Sequence, residues 1–268
     1  MALREGQRAG TVAGPPDAAR AAADAVASAC RGLIAAAGHA CVCVKLQLAC
    51  FERLGPAGWE VLFEVAEAAR DAGLLVIADG KRGDVPVSAA AYAQALFGST
   101  PTPWGEVAGL GADAATLNPL LGSDALEPLL EAAAAREGGV FILVRTSNPG
   151  ARELFDLETA GGPLHEHLAR LVAVHAGRLA GSSGLSGAGA VVGATEPGHL
   201  GRFRELMPSS VFLVPGVGAQ GGRPADLAPA LGEHPASLLV SASRSIAAAA
   251  DPAQAAEKLR AELWSLAR

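Results

Sequence analysis

Aromatic side chains make up only 4% of the 268 residues, with one tyrosine and three tryptophans, so ring packing can supply little of the core. Surplus positive charge is absent as well. Lys and Arg number 21 against 27 Asp and Glu, for a net charge of −6. That balance gives no basic footprint for tracking a phosphate backbone and argues against a nucleic-acid partner. Cysteine is sparse, and Cys30, Cys41, Cys43 and Cys50 lack the paired spacing of a zinc site. Cys41 and Cys43 alternate with valines; the four read as buried free thiols suited to a reducing, cytoplasmic setting. Uninterrupted apolar stretches of membrane-spanning length are missing too. The alanine-rich segment 18–40 carries Arg20, Asp24, Arg31 and His39 and reads as no membrane span, and the first residues lack the features of a signal peptide. His165, His167, His175, His199 and His234 show no ligand spacing, so they read as solvated or capping residues with no metal site.

What the chain does have is alanine, which suits close helix packing, and a recurring alternation. Half of the residues are hydrophobic, enough for one large core or two small ones. Seven short apolar runs each end in polar residues or glycine and lead into a helical pattern: 41–48, 74–80, 113–119, 139–146, 189–195, 211–216 and 237–243. The helices are expected near 56–72, 87–97, 123–136, 162–180, 197–206, 224–231 and 251–267. Continuous apolar strands alternating with helices predict a parallel sheet buried on both faces. The most economical α/β architecture is a (β/α)8 TIM barrel, with a doubly wound open sheet as the other candidate. Residues 1–268 read as one barrel domain with an atypical segment over 1–40. Seven strands are clear; residues 1–17 hold no convincing strand, so the first strand is degenerate or absent.

In a barrel the polar tails of the strands converge on one mouth. The segment VIADGKRGDV (76–85) aims Asp79, Lys81, Arg82 and Asp84 from the end of a buried strand. Asp79 and Lys81 are two apart and should share a face, with Lys45 on the neighbouring strand. Such an array can be a self-neutralising structural network, but four charges at adjacent strand ends point to a functional site. GVGAQGG (216–222) has the glycines for close backbone approach to an anion, a following helix start would add a favourable dipole, and Arg244 after the last strand offers a bidentate fork. RTSNPG (145–150) reads either as a turn or as a loop turning the Ser147 hydroxyl toward a polar ligand edge.

These segments together resemble the orotidine 5′-phosphate decarboxylases, especially the bacterial group with a Ser-Asn-Pro loop. DGKRGD matches the Asp-x-Lys-x-x-Asp signature, and VKLQLACFERLG, LNPLLGSDALEPLL, TSNPG, VPGVGAQGG and SRSI follow in the family's order. The resemblance implies a metal-free and cofactor-free carboxy-lyase of pyrimidine nucleotide synthesis, with Lys45, Asp79, Lys81 and Asp84 as its catalytic array. It implies a phosphorylated pyrimidine nucleoside as substrate, bound by Asn118, Ser147, Gln220, Gly221 and Arg244. It also implies a homodimer in which Asp84 and Ser88 serve the partner's site. The family's first strand, with a ribose-binding aspartate, has no counterpart here. Leu46 replaces a usual proline, Leu120 a usual tyrosine, and Gly80 a common alanine. Two further readings therefore stay open: a paralogue acting on a modified nucleotide or related phosphate, and a barrel that binds a nucleotide without turnover.

Overall fold

The computed structural model describes residues 15–267. Its seven long-range strands are β1 (Cys43–Gln47), β2 (Leu75–Arg82), β5 (Ala114–Leu117), β6 (Gly139–Arg145), β9 (Ser186–Val192), β10 (Ser210–Pro215) and β11 (Leu238–Ser241). The four short strands between them form two hairpins, β3 (Ser99–Thr102) with β4 (Gly105–Ala108) and β7 (Glu158–Thr159) with β8 (Gly162–Pro163). The seven pair in parallel in the order β1-β2-β5-β6-β9-β10-β11, a nearly closed barrel. Among the described residues no eighth strand lies between β11 and β1. Most of the segment 1–17, read as holding no convincing strand, lies outside the described residues.

Strand parity separates two cores. Val76, Ala78, Ile142, Val144, Val192 and Val214 face outward under the helices, while Ile77, Ala114, Phe141, Leu143, Val191 and Leu213 fill the inside of the barrel. Successive strand residues point to opposite faces, so one apolar run serves both cores. Following the inward parity toward the C-terminal strand ends, Ile77 gives way to Asp79, Ala114 to Thr116, and Cys43 to Lys45. The apolar floor thus becomes a polar mouth within one step of the pleat.

The helices are α1 (Pro15–Ala37), α2 (Leu48–Glu52), α3 (Gly55–Asp71), α4 (Pro86–Leu96), α5 (Ser123–Ala135), α6 (Ala151–Phe155), α7 (Leu164–His175), α8 (Leu200–Leu206), α9 (Arg244–Ala247) and α10 (Pro252–Leu266). The expected helix at 224–231 is instead a 3-10 segment, Pro224–Ala230, because Pro229 inside it can give no amide to an α-helical ladder. Residues 17–40 are long and apolar enough, by length and composition, to cross a membrane. In the fold, Ala23 and Ala27 of α1 are buried, and Arg20 and Arg31 pair with Glu60 and Glu64 of α3. Helix α10 packs against α1, so the helical layer closes where the sheet stays open.

Two expectations need correction. The cysteines are free but none is fully buried: Cys30 and Cys43 are half-buried, and Cys41 and Cys50 are exposed. His165 and His175 are buried rather than solvated, at 4% and 7% exposure. His165 lies 2.9 Å from the Phe155 carbonyl through Nδ1, whereas His175 Nε2 has no hydrogen-bond partner.

Candidate active site

Asp79 is the hub. It is 4% exposed, and each carboxylate oxygen receives an ammonium: Lys45 Nζ lies 2.6 Å from Oδ2 and Lys81 Nζ 2.5 Å from Oδ1. Burial acts to raise the Asp79 pKa, but the charges and hydrogen bonds of Lys45 and Lys81 together outweigh it and hold the carboxyl below its ordinary value. The parallel register that sets Gln47 beside Asp79 places Lys45 one inward step below, and Gln47 Nε2 donates to the Asp79 carbonyl at 3.1 Å.

Simple two-residue alternation does not account for Lys81. The β2–β5 pairing shifts register between Ala78 and Arg82, and Lys81 has φ 48°, a left-handed conformation uncommon for a residue with a side chain. Its amide donates to Thr116 Oγ1 at 2.9 Å, and the same hydroxyl donates to Asp79 Oδ1 at 2.9 Å. Thr116 therefore substitutes for a ladder bond at the irregularity and fixes the carboxylate as well. It is 1% exposed and was not among the residues the sequence singled out; its only signal is its place at the inward parity of DAATLNP. Arg82, next in the chain, turns the other way, pairing with Glu52 and lying 5.5 Å from the Tyr92 ring centre.

A cavity of about 450 Å³ opens above this array. Lys45, Asp79, Lys81, Ser147, Gln220 and Arg244 all line it, joined by Gln47, Thr116, Thr146, Asn148, Ser243 and Ser245. The serines flanking Arg244 were not singled out either. Arg244 is exposed and has no carboxylate partner among the described residues. In the glycine loop, Gly216, Gly218 and Gly221 all have positive φ. The amides of Gly218, Gly221 and Gly222 bond to carbonyls within the loop, so these three do not point at a ligand. The 3-10 segment that follows supplies no α-helical start, and the expected dipole contribution falls away.

Four expected residues are not brought to this cavity within one chain. Asp84 accepts a hydrogen bond from the Val85 amide at 2.7 Å, and Ser88 sits in the first turn of α4. Asn118 Oδ1 accepts from the Leu120 amide at 3.0 Å, and Gly221 is exposed, its amide bonded to the Gly218 carbonyl. Among the described residues no group of three or more His, Cys, Asp or Glu is placed to hold a metal ion.

The fold and this array define a barrel enzyme whose strand-end Asp79 and Lys81 face its cavity. Residues 21–259 match the Orotidine 5′-phosphate decarboxylase / HUMPS family. The chain is 45% identical, over 83% of its own length and 74% of the relative's, to an orotidine 5′-phosphate decarboxylase of Rhodopirellula baltica. It resembles the structure of Leishmania donovani OMP decarboxylase at 33% identity and a TM-score of 0.76, covering 91% of this chain and 89% of that one. It also resembles Leishmania donovani UMP synthase at 34% identity and a TM-score of 0.77, covering 91% of this chain and about half, 51%, of that one. The chain belongs to the orotidine 5′-phosphate decarboxylase / HUMPS family.

Proposed function

We propose that this chain is a carboxy-lyase that converts orotidine 5′-phosphate into UMP and CO2, the decarboxylating step of pyrimidine nucleotide synthesis. The observation that carries the reading is the buried Asp79 clamped between Lys45 and Lys81 on the wall of a cavity that Gln220 and Arg244 also line. Cleavage of a carboxylate from a pyrimidine carbon leaves a carbanion with little delocalisation, so the site must favour that charge over the starting one. A substrate carboxylate seated about 4 Å from Asp79 would be repelled by about 4 kcal/mol at an effective dielectric near 20, and the repulsion vanishes as neutral CO2 leaves. Lys81 would stabilise the new carbanion and then donate its proton to it. Ser147 would meet the pyrimidine amide edge, Gln220 would bridge base and phosphate, and Arg244 would grip the phosphate, whose binding energy orders the site.

Asp84 and Ser88 complete this account only in a homodimer, each serving the partner's cavity. The exposed apolar residues Val85, Val87, Leu120 and Leu121 next to Asp84 and Asn118 in the chain support such an interface. We place the enzyme in the cytoplasm, where four free thiols persist. The test is to incubate the purified chain with orotidine 5′-phosphate and follow UMP by chromatography. That no strand among the described residues lies between β11 and β1, where the resemblance puts a ribose-binding aspartate, favours a second reading, a paralogue for another phosphorylated nucleoside. Turnover of such a nucleotide with none of orotidine 5′-phosphate selects it.

A further inference from the structure

Strand β6 ends at Arg145, and residues 146–155, a loop running into the short helix α6, carry Ser147 to the cavity before the chain reaches Asp156. The two ends of that loop are tied together. Arg145 Nε donates to Asp156 Oδ1 at 2.8 Å and Nη2 donates to Oδ2 at 2.9 Å, a bidentate bridge. The guanidinium is 4% exposed, so its buried charge is compensated by this partner. His165 Nδ1, 2.9 Å from the Phe155 carbonyl, lies 3.2 Å from the same Asp156 oxygen and backs the bridge from α7.

The opposite side of Ser147 is equally confined. A Cβ at Gly193 would come within 2.8 Å of the Ser147 backbone, and one at Gly216 within 3.2 Å of its Cβ. Thr195 Oγ1 donates to the Ser147 carbonyl at 3.1 Å. The serine therefore stands between the glycine ends of the neighbouring strands and a loop whose span is set by one ion pair.

We propose that Arg145 and Asp156 are a positioning pair for the known-family site: they touch no substrate, but their bridge sets where the Ser147 hydroxyl stands. The choice of ligand in the test rests on the function proposed above; the bridge itself does not.

The experiment is a double-mutant cycle of Asp156→Asn and Ser147→Ala, read as UMP affinity by calorimetry and as kcat and KM with orotidine 5′-phosphate. Each single variant is expected to weaken UMP binding about tenfold. The double variant should be no weaker than either single one to within about twofold, because both changes remove the same contact. KM should rise while kcat stays within about threefold of the unmodified enzyme. A double variant about a hundredfold weaker, or unchanged affinity in Asp156→Asn, overturns the proposal. Should Asp156→Asn fold poorly, Asp156→Glu keeps the charge, and its longer arm should displace Ser147 to a smaller loss of affinity; full affinity there overturns the proposal too. If the unmodified enzyme neither binds UMP nor decarboxylates orotidine 5′-phosphate, the functional reading fails. Hydrogen exchange then judges the bridge: amides 146–156 should exchange faster in Asp156→Asn with the remaining barrel unchanged, and unaltered exchange overturns it.

Discussion

Lys81 is held in a backbone conformation that an ordinary side chain avoids, and Thr116 is what holds it there. The same hydroxyl bonds Asp79, so one buried atom couples the strand irregularity to the charge array. Replacing Thr116 with valine keeps the shape and removes both bonds. We expect kcat to fall about tenfold with the fold intact, since a net hydrogen bond is worth about 1 kcal/mol and a buried partner left without one costs more. Steady-state kinetics beside circular dichroism check this. The pH profile follows from Asp79. Its carboxyl titrates below the ordinary range because the two lysines outweigh burial, so it stays charged until the pH falls beneath that range. Protonation of Asp79 should therefore not set the acid limb of kcat/KM near the pH where free carboxylates titrate; a limb there that disappears in Asp79→Asn contradicts this.

At the scale of elements, the 146–155 loop has its own pH dependence. Arg145 foremost, opposed by burial and aided by His165, holds the Asp156 carboxyl down at about 2 from an ordinary 3.8. A depressed carboxylate favours the folded chain above its unfolded pKa, and that contribution fades as pH falls from 3.8 toward about 2. With Asp156 partly open to solvent, about 1 kcal/mol is a fair discounted value. Urea titrations should find Asp156→Asn less stable near neutral pH, with the gap closing in that acid window. All seven barrel strands, though not the two short hairpins, and most of the helices between them were legible from the sequence because apolar runs buried on both faces carry their own signal. The 3-10 turn at Pro224–Ala230 was read as a helix because its apolar spacing outlasts what Pro229 permits. Arg204 was invisible for a different reason: a lone arginine reads as surface, yet it is 7% exposed and donates to the carbonyls of Ala230, Met207 and Ser210. Nothing local announces a cation that is satisfied by backbone oxygens from distant segments.

For the molecule as a whole, no strand among the described residues lies between β11 and β1, and α10 packs on α1 in the outer layer. Lys45, Asp79, Lys81, Ser147, Gln220 and Arg244 could be expected from the sequence to meet, and they line one cavity, because strand ends must share a mouth. Asp84 was not placed with them, since a residue proposed to serve another chain leaves no mark on the geometry of its own. Mixing inactive Lys81→Ala with inactive Asp84→Ala subunits should recover about one quarter of native activity, because half of the dimers are mixed and each holds one intact site. No recovery after subunit exchange contradicts the shared site. The central claim is that Lys81, aimed by Asp79, performs the carbon protonation. Its most direct test measures UMP formation from orotidine 5′-phosphate by the unmodified chain and by Lys81→Ala, with UMP binding measured on both. The account predicts turnover by the first, a loss of more than about a thousandfold in the second, and UMP binding by each; comparable turnover by Lys81→Ala would contradict it.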